Sequence, residues 1–312
     1  MELIRGLVNL KARHRGCVAS IGNFDGVHLG HREIVRMLTD RGREAGLPAV
    51  VVTFETTPQE YFNAAAPPAR LMTLREKYQA LAACGVQRLL CLRFNRALAE
   101  LPAETFIEHV LVRDLGVRQV VVGEDFRFGR GRTGDFALLK TAGGRYGFGV
   151  SAAITVMQGG ERVSSTRIRA CLAAGDLEVA AKLLGRPFSL SGRVSHGARL
   201  GRQLGFPTAN IALRRRVAPV RGIFVARVQG ADAGVRYGAA YVGSRPAVGG
   251  LRTVLEVFLF DFDATLYGRR LRVELLARLR DDARFENLES LREQIVCDVQ
   301  AARAWLNGRN LQ

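Results

Sequence analysis

The chain has no run of about 18 apolar residues, no CxxC pair, no run of five basic residues and only four lysines in its 312 residues. The first absence excludes a membrane-spanning helix. The N-terminal stretch MELIRGLVNLKARHRG is broken by charges. It lacks both the apolar segment and the small-residue cleavage site of a signal peptide, so a cytoplasmic protein that does not engage the membrane is expected. The cysteines, Cys17, Cys84, Cys91, Cys171 and Cys297, are odd in number and scattered. That spacing argues against a disulfide framework and against a zinc knuckle, and leaves them as small buried hydrophobes. There is no internal repeat and no low-complexity segment.

Arginine is what the chain has in excess. The formal charge is +17, yet lysine occurs only at Lys11, Lys77, Lys140 and Lys182, and the longest basic run is Arg214–Arg216. Two readings of that charge stay open. One is a solvated arginine-rich surface suited to small phosphorylated substrates; the other is a nucleic-acid footprint. The lack of a basic block favours the first.

A length near twice the ~150 residues of a typical domain points to two domains. In the first half, short β-branched runs alternate with helical patterns. Strands are expected at Cys17–Ile21, Ala49–Phe54, Arg88–Phe94 and Gln119–Val122. Helices are expected at Leu29–Ala45, Thr73–Cys84, Ala103–Leu115 and Arg167–Ala174, several ended by glycine. Such alternation implies a parallel sheet with crossovers, a Rossmann-like α/β layout. From Phe188 the pattern turns β-rich, with strands expected at Ser189–Val194, Gly222–Val228, Arg236–Val242, Thr253–Asp261 and Arg270–Arg280. A helix follows from Leu288 to about Trp305. Strands capped by one terminal helix suggest a small barrel. The boundary is placed where helix gives way at Leu184, giving domains 1–184 and 185–312.

The sharpest motif is Gly22-Asn23-Phe24-Asp25-Gly26-Val27-His28-Leu29-Gly30-His31, between the first strand and the first helix. In open parallel sheets ligands bind at the carboxyl ends of strands, and helix N-termini attract anions. Gly22, Gly26 and Gly30 permit close backbone approach to a nucleotide. His28 and His31 share one face of the first helical turn and can both donate to phosphate oxygens. A zinc pair and a plain turn with two exposed histidines are the competing readings. The zinc reading lacks the four-residue spacing, the intervening Glu and a third ligand.

This string resembles the HxGH nucleotide-binding signature of the nucleotidylyltransferases, in the form found in bifunctional prokaryotic riboflavin kinase/FAD synthetases. Val121-Val122-Gly123-Glu124-Asp125-Phe126-Arg127-Phe128-Gly129, followed by Gly134-Asp135, resembles that family's second motif. Ser164-Ser165-Thr166-Arg167-Ile168-Arg169 resembles its third. A hydroxyl-rich helix start followed by arginine suits ATP phosphates. Glu124 departs from the family pattern, where a large apolar residue is usual. The resemblance implies attack of the FMN phosphate on the α-phosphate of ATP, giving FAD and pyrophosphate. His28, His31 and Arg167 would stabilise the transferring phosphoryl group with Mg²⁺ assisting. Gly22, Asn23, Phe24, Asp25, Gly26, Gly30, Asp125, Arg127, Ser164, Ser165 and Thr166 would bind ATP or flavin.

In the second half, Gly205-Phe206-Pro207-Thr208-Ala209-Asn210 is the anchor. In extended chain, Thr208 and Asn210 face the same way and present two neutral oxygens that suit Mg²⁺ together with ATP phosphates. Taken alone, the segment also reads as a turn into a strand. Gly192, Gly197 and Gly201 precede it in a loop able to close over phosphates. Glu256 sits inside an otherwise apolar strand and could take the proton of a primary alcohol, or simply pair with a cross-strand arginine. This set, with Gly222-Ile223-Phe224, Asp261-Phe262-Asp263 and Tyr267-Gly268, resembles the riboflavin kinase module of the same family. The resemblance implies Glu256 as base, Thr208 and Asn210 as metal ligands, and Gly192, Gly197 and Gly222 as ATP- or flavin-binding. Ala247 stands where Thr is common.

As a whole, the resemblance implies an N-terminal nucleotidylyltransferase domain and a C-terminal six-stranded Greek-key β-barrel with a terminal helix. The substrates would be ATP, riboflavin and FMN, with no nucleic acid or membrane partner, in a monomer or weak homo-oligomer. An inactive scaffold that binds nucleic acid, and a chain that keeps only one activity, are the alternatives. The first would bind with a steep salt dependence and without turnover.

Overall fold

A computed structural model describes residues 1–197, 200–213, 215, 217–247 and 250–311, with side chains left undescribed at 200, 245–247 and 250–252. Two compact units emerge: Met1–Pro68 with Leu74–Ser164, and Ala69–Thr73 with Ser165–Gln312.

The first unit is built on β1 (Glu2–Arg5), β2 (Cys17–Ile21), β3 (Ala49–Phe54), β4 (Arg88–Leu92), β5 (Val117–Gly123) and β6 (Gly149–Ala153). All pair in parallel, in the order β1-β4-β3-β2-β5-β6. Every residue of β2 and five of the six in β3 are buried, as expected of strands covered on both faces. The crossovers carry α1 (Leu29–Ala45), α2 (Pro58–Phe62), α3 (Leu74–Ala83), α4 (Arg96–Ala99), α5 (Ala103–Phe106) and α6 (Phe136–Tyr146). The expected single helix from Ala103 is α5 running on into π-helical turns over Ile107–Asp114. A hairpin of β7 (Met157–Gln158) and β8 (Glu161–Arg162) leads out of the unit.

From β2 the chain builds outward through β3 and β4 on one side and through β5 and β6 on the other. The order reverses between β2 and β5, and in open α/β sheets the crevice at the carboxyl ends of such a pair is where ligands bind. The glycine–histidine string follows β2, and the Glu124–Arg127 segment follows β5. Topology alone therefore brings both motifs to one edge.

The second unit opens with α7 (Ser165–Ala174) and α8 (Leu177–Leu184). It continues through β9 (Phe188–Ser195), α9 (Leu200–Gln203), β10 (Ala209–Ala212), β11 (Gly222–Gln229), β12 (Val235–Ala247), β13 (Gly250–Leu259), β14 (Arg270–Arg280) and α10 (Leu288–Asn307). The six strands close into an antiparallel barrel in the order β10-β13-β12-β11-β14-β9. Strands β11, β12 and β13 run as a meander and β14 returns beside β11, which is the Greek-key arrangement. Helix α10 seals one side, packing Ala302 and Leu306 against Val225 and Phe260.

The β-rich pattern begins near 184/185, whereas compactness divides the chain at Ser164/Ser165. Helix α8 buries Leu177, Ala180, Leu183 and Leu184 and packs on β9 and β14, which draws α7 and α8 to the barrel. Residues 69–73 join the same unit through long-range bonds. Arg215 Nη1 donates to the carbonyls of Arg70 and Leu71 at 2.8 and 3.0 Å, and Arg169 Nε donates to that of Ala69 at 2.7 Å. Arg214 and Arg216, the flanks of the basic triplet, lie outside the described residues.

One expectation needs correction. All five cysteines are free, but only Cys17 and Cys91 are buried; Cys84 and Cys171 are half-buried and Cys297 is exposed on α10. An amphipathic helix has an outer face, and Cys297 lies on it. Among the described residues no helix is long and apolar enough to cross a membrane.

Candidate active sites

At the end of β2 the chain must turn sharply into α1. Phe24 (φ 47°), Gly26 (φ 89°) and Val27 (φ 41°) all adopt left-handed backbone, which is unusual for a β-branched residue. The Phe24 and Val27 side chains are each 1% exposed, and that burial offsets the strain. Thr53 Oγ1 donates to the Asn23 carbonyl at 3.2 Å and accepts from Lys77 Nζ at 3.1 Å, tying the loop to β3. Lys77 is buried on α3, and the sequence reading gave it no role.

His28 is the N-cap of α1, and its Nδ1 accepts from the His31 amide at 3.3 Å. That bond places the imidazole proton on Nε2. The two rings stack at 3.6 Å between centroids and 19° between planes. Stacked imidazoles direct their in-plane nitrogens side by side, a better match to neighbouring phosphate oxygens than to one tetrahedral zinc. Burial, and after it the charges of His28, Lys77 and Arg162, holds the His31 imidazole well below its ordinary pKa. His31 Nδ1 and Asn23 Oδ1 are buried with no hydrogen-bond partner among the described residues. Buried polar atoms left open at a helix N-terminus suit a ligand that supplies their partners.

Other motif residues take up positions around this turn. A methyl group on Gly22 would meet the Phe24 ring at 3.1 Å, and one on Gly30 would meet the His28 ring at 3.3 Å. Asp25 is buried. The Val163 carbonyl lies 3.6 Å from the same Gly30 position, so Ser164 follows directly beside the start of α1. Ser165, Thr166 and Arg167 form the first turn of α7 in the second unit.

After β5, Asp125 pairs with Arg162 at 2.7 Å, and that guanidinium holds its carboxyl below the usual range. Arg127 lies 3.7 Å from Asp135, the N-cap of α6. Glu124 is exposed, so no carboxylate is buried at that departure from the family pattern. The sequence reading missed an aromatic group at the carboxyl edge of β3 and β4. Phe54, Tyr61 and Phe62 surround Phe94 with centroids 5.8, 5.4 and 5.8 Å away, and Phe62 is 70% exposed. The signal was present in the runs Tyr61-Phe62 and Phe94, whose positions after strand ends place them on the ligand edge.

In the barrel, Asn210 of β10 stands directly across from Glu256 of β13, which stands directly across from Tyr241 of β12. Directly opposed residues on adjacent strands share a face and are near neighbours. A methyl group on Gly197 would overlap the Asn210 carboxamide, with Nδ2 at 2.5 Å, and one on Gly201 would meet Thr208 Oγ1 at 3.3 Å. Gly197 and Gly201, the latter within α9 rather than in the expected loop, therefore lie against the two expected metal ligands. Gly192 of β9 packs on β10, where a methyl group would meet Ile211 Cγ2 at 2.6 Å, and Gly222 (φ 121°) packs on the Arg280 carbonyl.

Two cavities meet here. A polar one of about 150 Å³ is lined by Gly197, Arg202, Thr208, Asn210, Asp263 and Tyr267, among others. A more apolar one of about 260 Å³ is lined by Phe206, Thr208, Tyr241, Glu256, Phe258 and Phe285, among others. Thr208 lines both. Asn210 Nδ2 donates to the Thr208 carbonyl at 3.5 Å, which leaves its Oδ1 as an acceptor beside the polar cavity. Neutral oxygens in a polar cavity fit Mg²⁺ that shares its coordination with phosphates and water. Among the described residues no three His, Cys, Asp or Glu side chains converge as a metal site. The side chain of Ala247 lies outside what the structure describes.

Comparison with known proteins agrees with this division. Residues 10–167 match the family model for FAD synthetase, and residues 184–306 match that for riboflavin kinase. A bifunctional riboflavin kinase/FMN adenylyltransferase of Escherichia coli is 49% identical over 304 residues, covering 97% of each chain. The one from Pseudomonas fluorescens is 50% identical over 305 residues with the same coverage. A crystal structure from Streptococcus pneumoniae described as a macrolide-efflux protein superposes with a TM-score of 0.81 at 30% identity, covering 98% of this chain and 100% of that one.

Proposed function

The chain belongs to the bifunctional riboflavin kinase/FMN adenylyltransferase family, and on that premise we propose that its barrel phosphorylates riboflavin to FMN and its parallel-sheet domain adenylylates FMN to FAD. The working division at 184/185 is supported by the riboflavin kinase match, which begins at residue 184.

The kinase assignment rests on one observation above the rest: Thr208 lines both cavities while Asn210 and Glu256 stand across from each other beside them. The apolar cavity suits the flavin ring and the polar one the ATP phosphates. Glu256 takes the proton of riboflavin's terminal hydroxyl as its oxygen bonds to the γ-phosphorus of ATP, and the bond to the bridging oxygen breaks to release ADP. Thr208 and Asn210 would hold Mg²⁺, which when bound would neutralise phosphate charge.

In the first unit the FMN phosphate is already an anion and needs no base. Its oxygen bonds to the α-phosphorus of ATP as pyrophosphate departs. The work of the protein is alignment and charge stabilisation. His28 donates through Nε2 and His31 stands beside it at the N-terminus of α1; the family resemblance adds Ser164, Ser165, Thr166 and the cation of Arg167 to the phosphate-binding set. Asp125 and Arg127 serve the flavin side, and the exposed ring of Phe62 offers a stacking surface at the carboxyl edge of β3 and β4.

Incubating the purified chain with Mg²⁺, riboflavin and ATP labelled at either the α- or the γ-phosphorus tests this. Label from the γ position should enter FMN and label from the α position only FAD. Unchanged riboflavin would refute the kinase assignment, FMN without FAD would refute the second, and FMN supplied directly with α-labelled ATP tests the second by itself.

A further inference from the structure

The wall of the larger barrel cavity is mostly apolar, yet it includes a carboxylate that neither the phosphoryl chemistry nor the closure of the barrel uses. Asp282 follows β14 and lines this cavity with Phe206, Phe258 and Phe285. Its Oδ2 accepts from the Tyr241 hydroxyl at 3.2 Å and from Arg221 Nε and Nη2 at 3.3 and 3.2 Å. Its Oδ1 accepts from no group among the described residues, although the side chain is only 27% exposed. The neighbouring Arg280 is fully committed, bidentate to Asp298 at 2.7 Å through each nitrogen and bonded to the Asp281 carbonyl at 2.9 Å.

Tyr241 fixes where this carboxylate stands. Its backbone is directly across from Glu256. Gly243, on the same face two residues on, leaves room for its ring, since a methyl group there would lie 2.9 Å from Tyr241 Cε2. Asp282 is thus held one tyrosine side chain away from the proposed base, within the same cavity. A donor carried by a largely apolar ligand in this aromatic-walled cavity would find its partner in Oδ1.

We propose that Asp282 is a specificity-determining residue of the kinase site, its Oδ1 accepting the imide N–H of the isoalloxazine ring while Tyr241 and Arg221 act as positioning residues. The inference rests on the kinase reading of the barrel. The imide N–H is the ring's one N–H donor; its other polar atoms accept. A ring buried with that donor unpaired loses the group's hydration without replacement, and so does a carboxylate facing aromatic walls. Pairing the two satisfies both, and an ionised acceptor makes the stronger bond. Sites built this way reject analogues that lack the donor.

The full-length chain is assayed for FMN formation from riboflavin and from riboflavin methylated on its imide nitrogen, as wild type, Asp282→Ala and Tyr241→Phe. In Asp282→Ala the KM for riboflavin should rise about 10- to 100-fold, with kcat within about threefold. Methylation should raise the wild-type KM by a similar factor but add nothing further in Asp282→Ala. An undiminished methylation penalty in the variant overturns the proposal. So does an unchanged riboflavin KM, or a loss that instead tracks removal of a ribityl hydroxyl. FMN formation at saturating riboflavin within about threefold of wild type shows that the barrel of the variant is folded, and retained FMN-to-FAD conversion shows the same of the first unit. Should Asp282→Ala fail that check, Tyr241→Phe carries the test, because it keeps the carboxylate and removes one bond that aims it. Its riboflavin KM should rise about 3- to 10-fold and its methylation penalty should shrink; no change in either would count against the proposal. A wild type that leaves riboflavin unphosphorylated would strike the kinase assignment itself, and this inference with it.

Discussion

Gly197→Ala isolates the metal-ligand geometry of the barrel. Gly197 carries no left-handed backbone, so alanine meets no conformational penalty there; its obstacle is the Asn210 carboxamide, with Nδ2 at 2.5 Å from the added methyl carbon. Ordinary contact needs about 3.5 Å or more, so the carboxamide must move by about 1 Å. A side-chain rotation can absorb that shift with little effect on stability. Mg²⁺ tolerates it poorly, because it demands near-ideal octahedral geometry. A displacement of that size at a reacting centre costs about 100-fold in rate, or about 2.7 kcal/mol. The assay is FMN formation as a function of Mg²⁺ and ATP, with FMN-to-FAD conversion by the same chain as the internal control. Riboflavin phosphorylation should fall about 100-fold while FAD formation stays within about twofold. In an Asn210→Ala background the same change should do nothing more, since its target is gone. Gly144→Ala, a methyl group added where nothing lies within 4 Å, serves as the neutral comparison. Phosphorylation by Gly197→Ala within about twofold of wild type, or full additivity with Asn210→Ala, would refute the reasoning.

Two further outcomes follow from the first unit. Gly30→Ala crowds the His28 ring at 3.3 Å while removing a glycine from the first turn of α1. FAD formation should fall about tenfold or more without loss of thermal stability, and a parallel fall in both would show a folding defect instead. His31, held well below 6.5 in the folded chain, takes its proton more readily when unfolded. Its contribution to stability is therefore present above about pH 6.5 and declines as the pH falls, by up to about 1.4 kcal/mol per pH unit. Denaturant unfolding between about pH 7.5 and 5.5 should show a shallower acid slope for His31→Gln than for wild type, and identical slopes would contradict this.

Much of the architecture was legible because strong local signals coincide with it. The glycine–histidine string announces a strand-to-helix turn, and Val-rich β2 and β3 announce buried parallel strands. The extended Thr208–Asn210 pair and the acidic interruption at Glu256 were likewise readable, and the barrel register then brought them opposite each other. What escaped was weakly patterned or long-range. Strand β1 is four residues at the chain start, and β6 is Gly-Val-Ser-Ala-Ala, too small and polar for a clear period. Helix α6 carries two adjacent glycines, which lowers helical propensity, and tertiary packing overrides them. The passage of residues 69–73 to the second unit depends on Arg215 and Arg169 reaching carbonyls more than a hundred positions away in one case and a hundred in the other. No local pattern encodes such contacts. Tyr241, Asp282 and Lys77 were missed for the same reason: each matters through what it faces.

The central claim is that one chain carries two independent ATP-dependent sites in series. Mixing two purified variants, Glu256→Gln and His28→Ala, in the presence of riboflavin, ATP and Mg²⁺ tests it directly. Alone, Glu256→Gln should leave riboflavin unchanged and His28→Ala should stop at FMN. Together they should make FAD, because FMN released by one chain is adenylylated by the other. FAD from either variant alone, or none from the mixture, would contradict the account.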